Sequence, residues 1–260
     1  VFSLKWISMS YFLNLALVPS ILLFLVFGLA LFVMTYWVLC LFARYARTDA
    51  LVIPLGAFIG TIATSWALSL GFVAADIWAL HAKADQELTS ERSAINRLIG
   101  NAEAEVLNRP DLEVAMEFYR EKVISDEWGA NGNLHPAASV EQALQKIRVI
   151  IMDIAEGDAP APIINQTVSI FNDLQETRDV RLAIASTTVN QYKWYMLLTL
   201  TILTSITIAV THADRTRAGS IAIFLYVLAA TTSLWLLTVH ASPYAGIETI
   251  EPSGLYLNLT

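Results

Sequence analysis

Cysteine is almost absent: Cys40 stands alone among 260 residues, so no disulfide can close within the chain and its redox compartment is not written in it. A single Cys inside an apolar run is ordinarily a small buried hydrophobe. Charge is scarce as well. Charged residues make up 15% of the chain and hydrophobic ones 56%, whereas an average soluble domain carries about 25% charge. Enzyme signatures are missing: there is no Walker A loop, no nucleophile elbow, no His-Glu-x-x-His and no clustered Cys/His set. His81, His135, His212 and His240 are too widely spaced to read as a metal site. Three of them sit at the ends of apolar runs, where an amphipathic ring is ordinary. No enzymatic activity, metal or cofactor is therefore expected. A basic excess is lacking too. The net charge is −7, and residues 81–192 hold 10 Lys/Arg against 18 Asp/Glu, or −8, which excludes a nucleic-acid surface there.

What the chain does have is four long apolar runs: Tyr11–Phe42, Leu51–Leu80, Trp194–His212 and Ile221–Val239. Each is near or above the ~20 residues that cross a bilayer as a helix. Charges avoid them, with Asp76 the main exception. The first run is expected to persist as a span. Its apolar core is about twice a signal peptide's ~7–15 residue core, and no small-residue cleavage site follows it. The expected fold is an all-α integral membrane protein with four transmembrane helices in a two-plus-two arrangement. An N-terminal segment and spans 1 and 2 fill residues 1–80, an acidic helical extramembrane bundle 81–192, spans 3 and 4 193–240, and a tail 241–260.

Local signals fill in the path. Trp6, Tyr11, Tyr36 and Trp37 suit membrane interfaces, and Pro54 falls in the first turn of the second run, where a missing N–H costs little. No Pro or Gly interrupts Trp78 to Ile99, so the second span is predicted to continue as one long helix. Leu80, Leu88, Ile95, Leu98 and Ile99 keep its helical spacing. A helix opens at Pro110-Asp111, with an apolar stripe of Leu112, Ala115, Met116, Phe118, Tyr119, Val123 and Ile124, and ends near Trp128-Gly129. Gly129 to Pro136 reads as a loop. Ser139 with Gln142 resembles a capping box for a helix running to about Glu156, which buries Ala143, Leu144, Ile147, Ile150, Ile151 and Ile154. After the Gly157–Pro162 break, a fourth helix is predicted from about Ile163 through Lys193 straight into the third span, with a seam of Ile164, Val168, Phe171, Leu174, Val180, Ala183 and Ile184. The bundle thus reads as continuous with spans 2 and 3. Pro243, Gly246, Pro252 and Gly254 make the tail non-helical.

Arg44, Arg47, Arg215 and Arg217 occupy the two short turns, while the N-terminal tail carries only Lys5 and the C-terminal tail no basic residue. By the positive-inside rule the turns lie in the cytoplasm, with the acidic block and both ends extracytoplasmic, in a bacterial inner membrane or plasma membrane. Lys83, Arg92, Arg178, Arg181 and Lys193 near the junctions oppose this. The triplets Asn165-Gln166-Thr167 and Asn258-Leu259-Thr260 match glycosylation sequons, a pattern common by chance.

From Gly60 to Leu259 several pieces are similar to one family. They are the small-rich second span leading into Trp78 and Glu91-Arg92-Ser93-Ala94-Ile95; the Phe118-Tyr119 helix ending in Glu127-Trp128; Lys193-Trp194-Tyr195; and the tail Pro243-Tyr244-Ala245-Gly246 with Glu251-Pro252. With them the chain resembles the bestrophin-like family of membrane proteins, which has no secure activity of its own. Where relatives often have an acidic residue before the tail proline, this chain has His240-Ala241-Ser242. The family name implies similarity to bestrophins, oligomeric anion channels with four spans and a large helical domain. Their domain is cytoplasmic, against the orientation above.

The second span holds the candidate site. Gly56, Gly60 and Thr64, spaced by four, allow close helix contact. Thr61, Ser65 and Ser69 form a hydroxyl stripe leading to Phe72 and Asp76, which reads as a pore lining with an aromatic constriction and an acidic ring. The alternative is plain packing, since small and hydroxyl residues are common contacts between spans. An acidic ring and the −8 block both favour cations, against a simple transfer of anion selectivity. The hydroxyls of the third span (Thr199, Thr201, Thr204, Ser205, Thr207, Thr211) and of the fourth (Thr231, Thr232, Ser233) read as packing, and Tyr119, Glu127 and Trp128 as structural. Four spans make a poor pore alone, so the expected assembly is a lipid-embedded homo-oligomer with channel-like function. The rival is a non-conducting scaffold or accessory subunit docked on another membrane complex.

Overall fold

A computed structural model describes residues 16–45, 55–187 and 190–256, with side chains described from Ile59 onward in the second stretch. Lys5, Trp6, Tyr11, Arg47, Pro54 and the 258–260 triplet lie outside the described residues, as do the surroundings of Gly56. Among the described residues there is no strand. The helices are α1 (Leu17–Tyr45), α2 (Leu55–Ala102), α3 (Pro110–Lys122), α4 (Ala138–Glu156), α5 (Ala161–Ser186), α6 (Gln191–Thr211) and α7 (Thr216–Val239), with π-helical turns at Val123–Ala130 and a 3₁₀ turn at Pro252–Leu255. Four segments are long and apolar enough to cross a membrane: Leu17–Arg44, Ile59–Ala102, the stretch ending at Thr211, and Thr216–Val239. The chain divides into two compact units.

The first unit comprises residues up to Trp78, Val189–Ala241 and Gly246–Glu248. Lipid tails are as apolar as leucine, so close packing rather than exclusion of water holds such helices together. Glycine makes that approach possible where α1 crosses α7: a Cβ on Gly28 would lie 2.8 Å from Thr231 Oγ1, and one on Gly219 3.1 Å from Leu39 Cδ1. Leu31, Leu39, Ala209, Ile223 and Val227 form one buried cluster, and Val73, Ala74, Ile77, Trp194, Leu197, Leu234 and Leu237 another. The buried hydroxyls of α6 behave as packing groups. Thr201, Thr204 and Thr207 each donate to the carbonyl four residues back, at 2.7–2.8 Å, and Thr35 Oγ1 bridges to Ser205 Oγ at 3.1 Å. The ring nitrogens of His212 and His240 each meet a carbonyl one turn back at 2.9 Å.

The second unit comprises Ala79–Thr188, Ser242–Ala245 and Thr249–Thr260. Its core joins Ile95 and Leu98 of α2, Leu112, Met116 and Tyr119 of α3, Leu144, Ile147 and Ile151 of α4, and Ile170 and Leu174 of α5. Each such aliphatic chain contributes about 1.5–3 kcal/mol when fully buried. The α4 pattern holds at all six predicted apolar positions, which are buried. Elsewhere the structure corrects the sequence.

Phe118 is 39% exposed although placed on the α3 stripe. Ser139 forms no capping box: α4 starts one residue earlier, and the Ser139 hydroxyl donates to Asp126 Oδ2 instead. The α5 seam is not the predicted one. Val168 and Ala183 face outward, while Thr167, Arg178 and Arg181 face in with Phe171, Leu174 and Ile184. Nor does α5 run on into the third span. It stops at Ser186, Thr187 is extended, and α6 begins at Gln191 under an Asn190 cap whose side chain accepts from the Tyr192 N–H at 2.9 Å. β-Branched Thr187, Thr188 and Val189 are weak helix formers, and Asn favours the cap.

Candidate functional site

Outward faces of the first unit's helices differ in kind. On α1 the exposed positions include Leu22, Leu25, Val26, Leu29 and Val33, and on α7 Ile221, Phe224, Leu225 and Leu228. These are large aliphatic and aromatic groups suited to lipid. On α2 the exposed positions are Gly60, Thr61, Thr64, Ala67, Leu68, Gly71, Phe72, Ala75 and, at the unit's end, Trp78. A Cβ added to Gly60 or Gly71 would meet nothing within 4 Å. Among the described residues, the predicted Gly60–Thr64 packing surface thus meets no partner helix.

The hydroxyl stripe is not straight. Four residues on an α-helix advance about 400°, so an i, i+4 series drifts around the axis by about 40° per step. Thr61 is accordingly exposed, Ser65 half-buried and Ser69 buried. The three-residue step to Phe72 returns outward, to 63% exposure. Ser69 is thereby corrected: it faces the unit's interior, and the open face continues through Thr64 and Leu68 instead. Ser65 Oγ donates to Thr61 O at 2.9 Å. On the inner side, Trp66 Nε1 donates to Thr201 Oγ1 at 3.0 Å, and its ring meets Tyr226 edge-on at 5.5 Å.

Asp76 sits at the edge of the open face, one turn beyond Phe72, and is not a bare acid. Lys193, in the first turn of α6, donates through Nζ to Asp76 Oδ2. Their side chains are 43% and 44% exposed, so both members of the pair stay accessible. The expected bare acid is corrected to an acid paired with Lys193.

The second unit conceals a charge network that periodicity did not reveal. Arg181, with no exposed side-chain surface, donates Nε to Glu91 Oε2 at 2.7 Å and Nη2 to Glu127 Oε2 at 2.8 Å. Arg178 donates Nε to Glu127 Oε1 at 3.1 Å and Nη1 to Glu141 Oε1 at 2.8 Å. Tyr119 donates to Glu91 Oε1 at 2.8 Å, and Asn133, at positive φ, accepts from Arg181 Nη1 through its side-chain oxygen. The π-helical turns allow neighbours Glu127 and Trp128 both to face inward. The Arg181 guanidinium then lies 5.0 Å from the Trp128 ring. Burial raises the Glu127 carboxyl, but hydrogen bonds and charge from Arg178 and Arg181 outweigh it and hold it below the ordinary range. Burial, with Glu91 beside it, drives the Tyr119 phenol well above its usual value. Glu127 and the two arginines that hold it therefore stay charged in the core. The network has the form of a clamp that ties α2, α5 and the π-helical turns together.

The sequence profile of the bestrophin-like domain matches residues 25–255. The chain belongs to the bestrophin-like family. No curated protein and no solved structure matches it.

In this member some of the pieces that carried the resemblance meet in the second unit, while Trp78 and Lys193-Trp194-Tyr195 belong to the first. Glu91, Tyr119 and Glu127 are network groups, and Trp128 packs edge-on against Tyr244 of the tail at 5.4 Å. Arg178 and Arg181 are the members that the sequence reading missed. They sit three apart on α5, at positions the apolar pattern leaves vacant. Two arginines within an otherwise apolar seam were the available signal.

Proposed function

We propose that this bestrophin-like protein is an ion-channel-like membrane protein that works as a homo-oligomer, with the α2 helices around a central path. The carrying observation is the contrast among outward faces. Where α1 and α7 present large apolar chains suited to lipid, α2 presents Gly60, Thr61, Thr64, Gly71 and Ala75, interrupted by Leu68 and Phe72 and followed by Trp78. Small and hydroxyl groups favour a second helix or water over acyl chains. Thr61 and Thr64 would replace ion hydration, and Phe72 would narrow the path. The spans run two plus two, with the Arg44 and Arg215 turns in the cytoplasm. Family membership and four helices long enough to span support this reading. The chain purified in detergent should elute as a closed oligomer and, reconstituted in vesicles, should pass ions. A monomer that passes none sinks the proposal.

A second reading, a non-conducting scaffold, draws on the second unit, where Val114, Val149 and Met152 are more than half exposed on α3 and α4. Exposed apolar groups of that size can mark docking surfaces. A stoichiometric partner in native purification, together with silent vesicles, would favour it.

A further inference from the structure

We propose that Lys193 sets charge selectivity jointly with Asp76, each cancelling the other's sign at the edge of the α2 face. This rests on α2 lining the path. Among the described residues, Asp76 and Lys193 are paired with each other by a direct ion pair. Both remain accessible, at 43% and 44%. An isolated acid at this level would concentrate cations and repel anions. With Lys193 beside it, every subunit contributes one negative and one positive group at a single level, so the summed ring charge is zero at any subunit number. Permeation would then be governed by the neutral lining at Thr61, Thr64 and Phe72, and wild-type selectivity between cations and anions would be weak.

The pair's position explains why selectivity is adjustable at this point. Lys193 lies in the first turn of α6, where the helix dipole disfavours a cation. Asp76 offsets that cost, and neither side chain is locked in by burial. Removing one partner leaves the other charged and hydrated at the path's edge, free to act alone. The two single variants must therefore act with opposite sign, a signature that helix packing alone would not produce.

The test uses the full chain in planar bilayers under a KCl gradient. Lys193→Gln should shift the reversal potential toward the potassium equilibrium value. Asp76→Asn should shift it toward the chloride value. The reciprocal exchange, Asp76→Lys with Lys193→Asp, should return it to wild type. Conducting single variants with an unmoved reversal potential, or shifted in the same direction, overturn the role of the pair while leaving α2 as the lining. A wild-type oligomer that never conducts overturns the pore reading and this assignment with it. Should a single variant fail to assemble, the exchange decides: a reversal potential equal to wild type supports the pair, and a displaced one overturns it.

Discussion

A buried network in the second unit and the open Asp76–Lys193 pair in the first differ chiefly in burial. In the second unit, Arg181 and Glu127 have no exposed side-chain surface, and each is held by several partners. In the first, Asp76 and Lys193 meet through one contact and remain nearly half open. Taking charges out of water is costly, and mutual attraction repays it only with excellent geometry and full hydrogen bonding. The buried set comes close to that condition, with Asn133 Nδ2 left without a hydrogen-bond partner among the described residues, and its geometry is that of a structural clamp. The open pair carries little folding energy, which leaves its charges accessible for the role proposed for them. The same residue types thus read as scaffold in one place and as function in the other.

Arg181→Met breaks the comparison hardest. It leaves Glu91 and Glu127 short of their shared cation, and losing one partner of a buried pair costs about 3–5 kcal/mol. A lowered denaturation midpoint in detergent, on that scale, is expected. A variant as stable as wild type would show that the network is dispensable. Tyr119→Phe is next. It removes one hydrogen bond to charged Glu91 and should cost about 1.5–3 kcal/mol.

The order of legibility follows from these energies. Apolar periodicity located α4 and its six core positions because water exclusion acts on each residue separately. It failed on α5, where Arg178 and Arg181 are inside only because Glu91 and Glu127 come to meet them from α2 and the π-helical turns. Pairing across long sequence separation leaves no periodic trace. The α2 stripe was half legible. Residue types showed a special face, but a strict four-residue spacing ignored the helix's drift and carried Ser69 inward. Lys193 was visible only as a junction charge, because its partner lies 117 positions away.

Acid should separate the two sets as well. The Glu127 carboxyl is held below its ordinary range in the folded state. Its contribution is therefore present above the unfolded value of about 4.3 and is lost as pH falls through the lower folded value. Stability should fall on acidification below the ordinary carboxylate range. Glu127→Gln should flatten that part of the profile while lowering stability near neutrality. A profile unchanged in slope would mean that Glu127 is not the linked group. Asp76→Asn, by contrast, should change stability by no more than about 1 kcal/mol.

The smallest effect on the chain itself should come from Gly60→Ala, and it is the most informative about assembly. A Cβ at Gly60 meets nothing within 4 Å, and alanine favours a helix over glycine by about 1 kcal/mol. Within one chain the change should be neutral or slightly stabilising. Gly28→Ala is the internal control. Its Cβ would fall 2.8 Å from Thr231 Oγ1, so it should loosen the α1–α7 crossing by about 1–3 kcal/mol. If α2 packs against α2 of another subunit, Gly60→Ala should weaken the oligomer on gel filtration while leaving the chain's own melting intact. If Gly60 instead fronts open water or lipid, both will stay unchanged. Gly28→Ala should do the reverse, lowering melting while the α2 face keeps its shape. Only a face used between chains gives that crossed result.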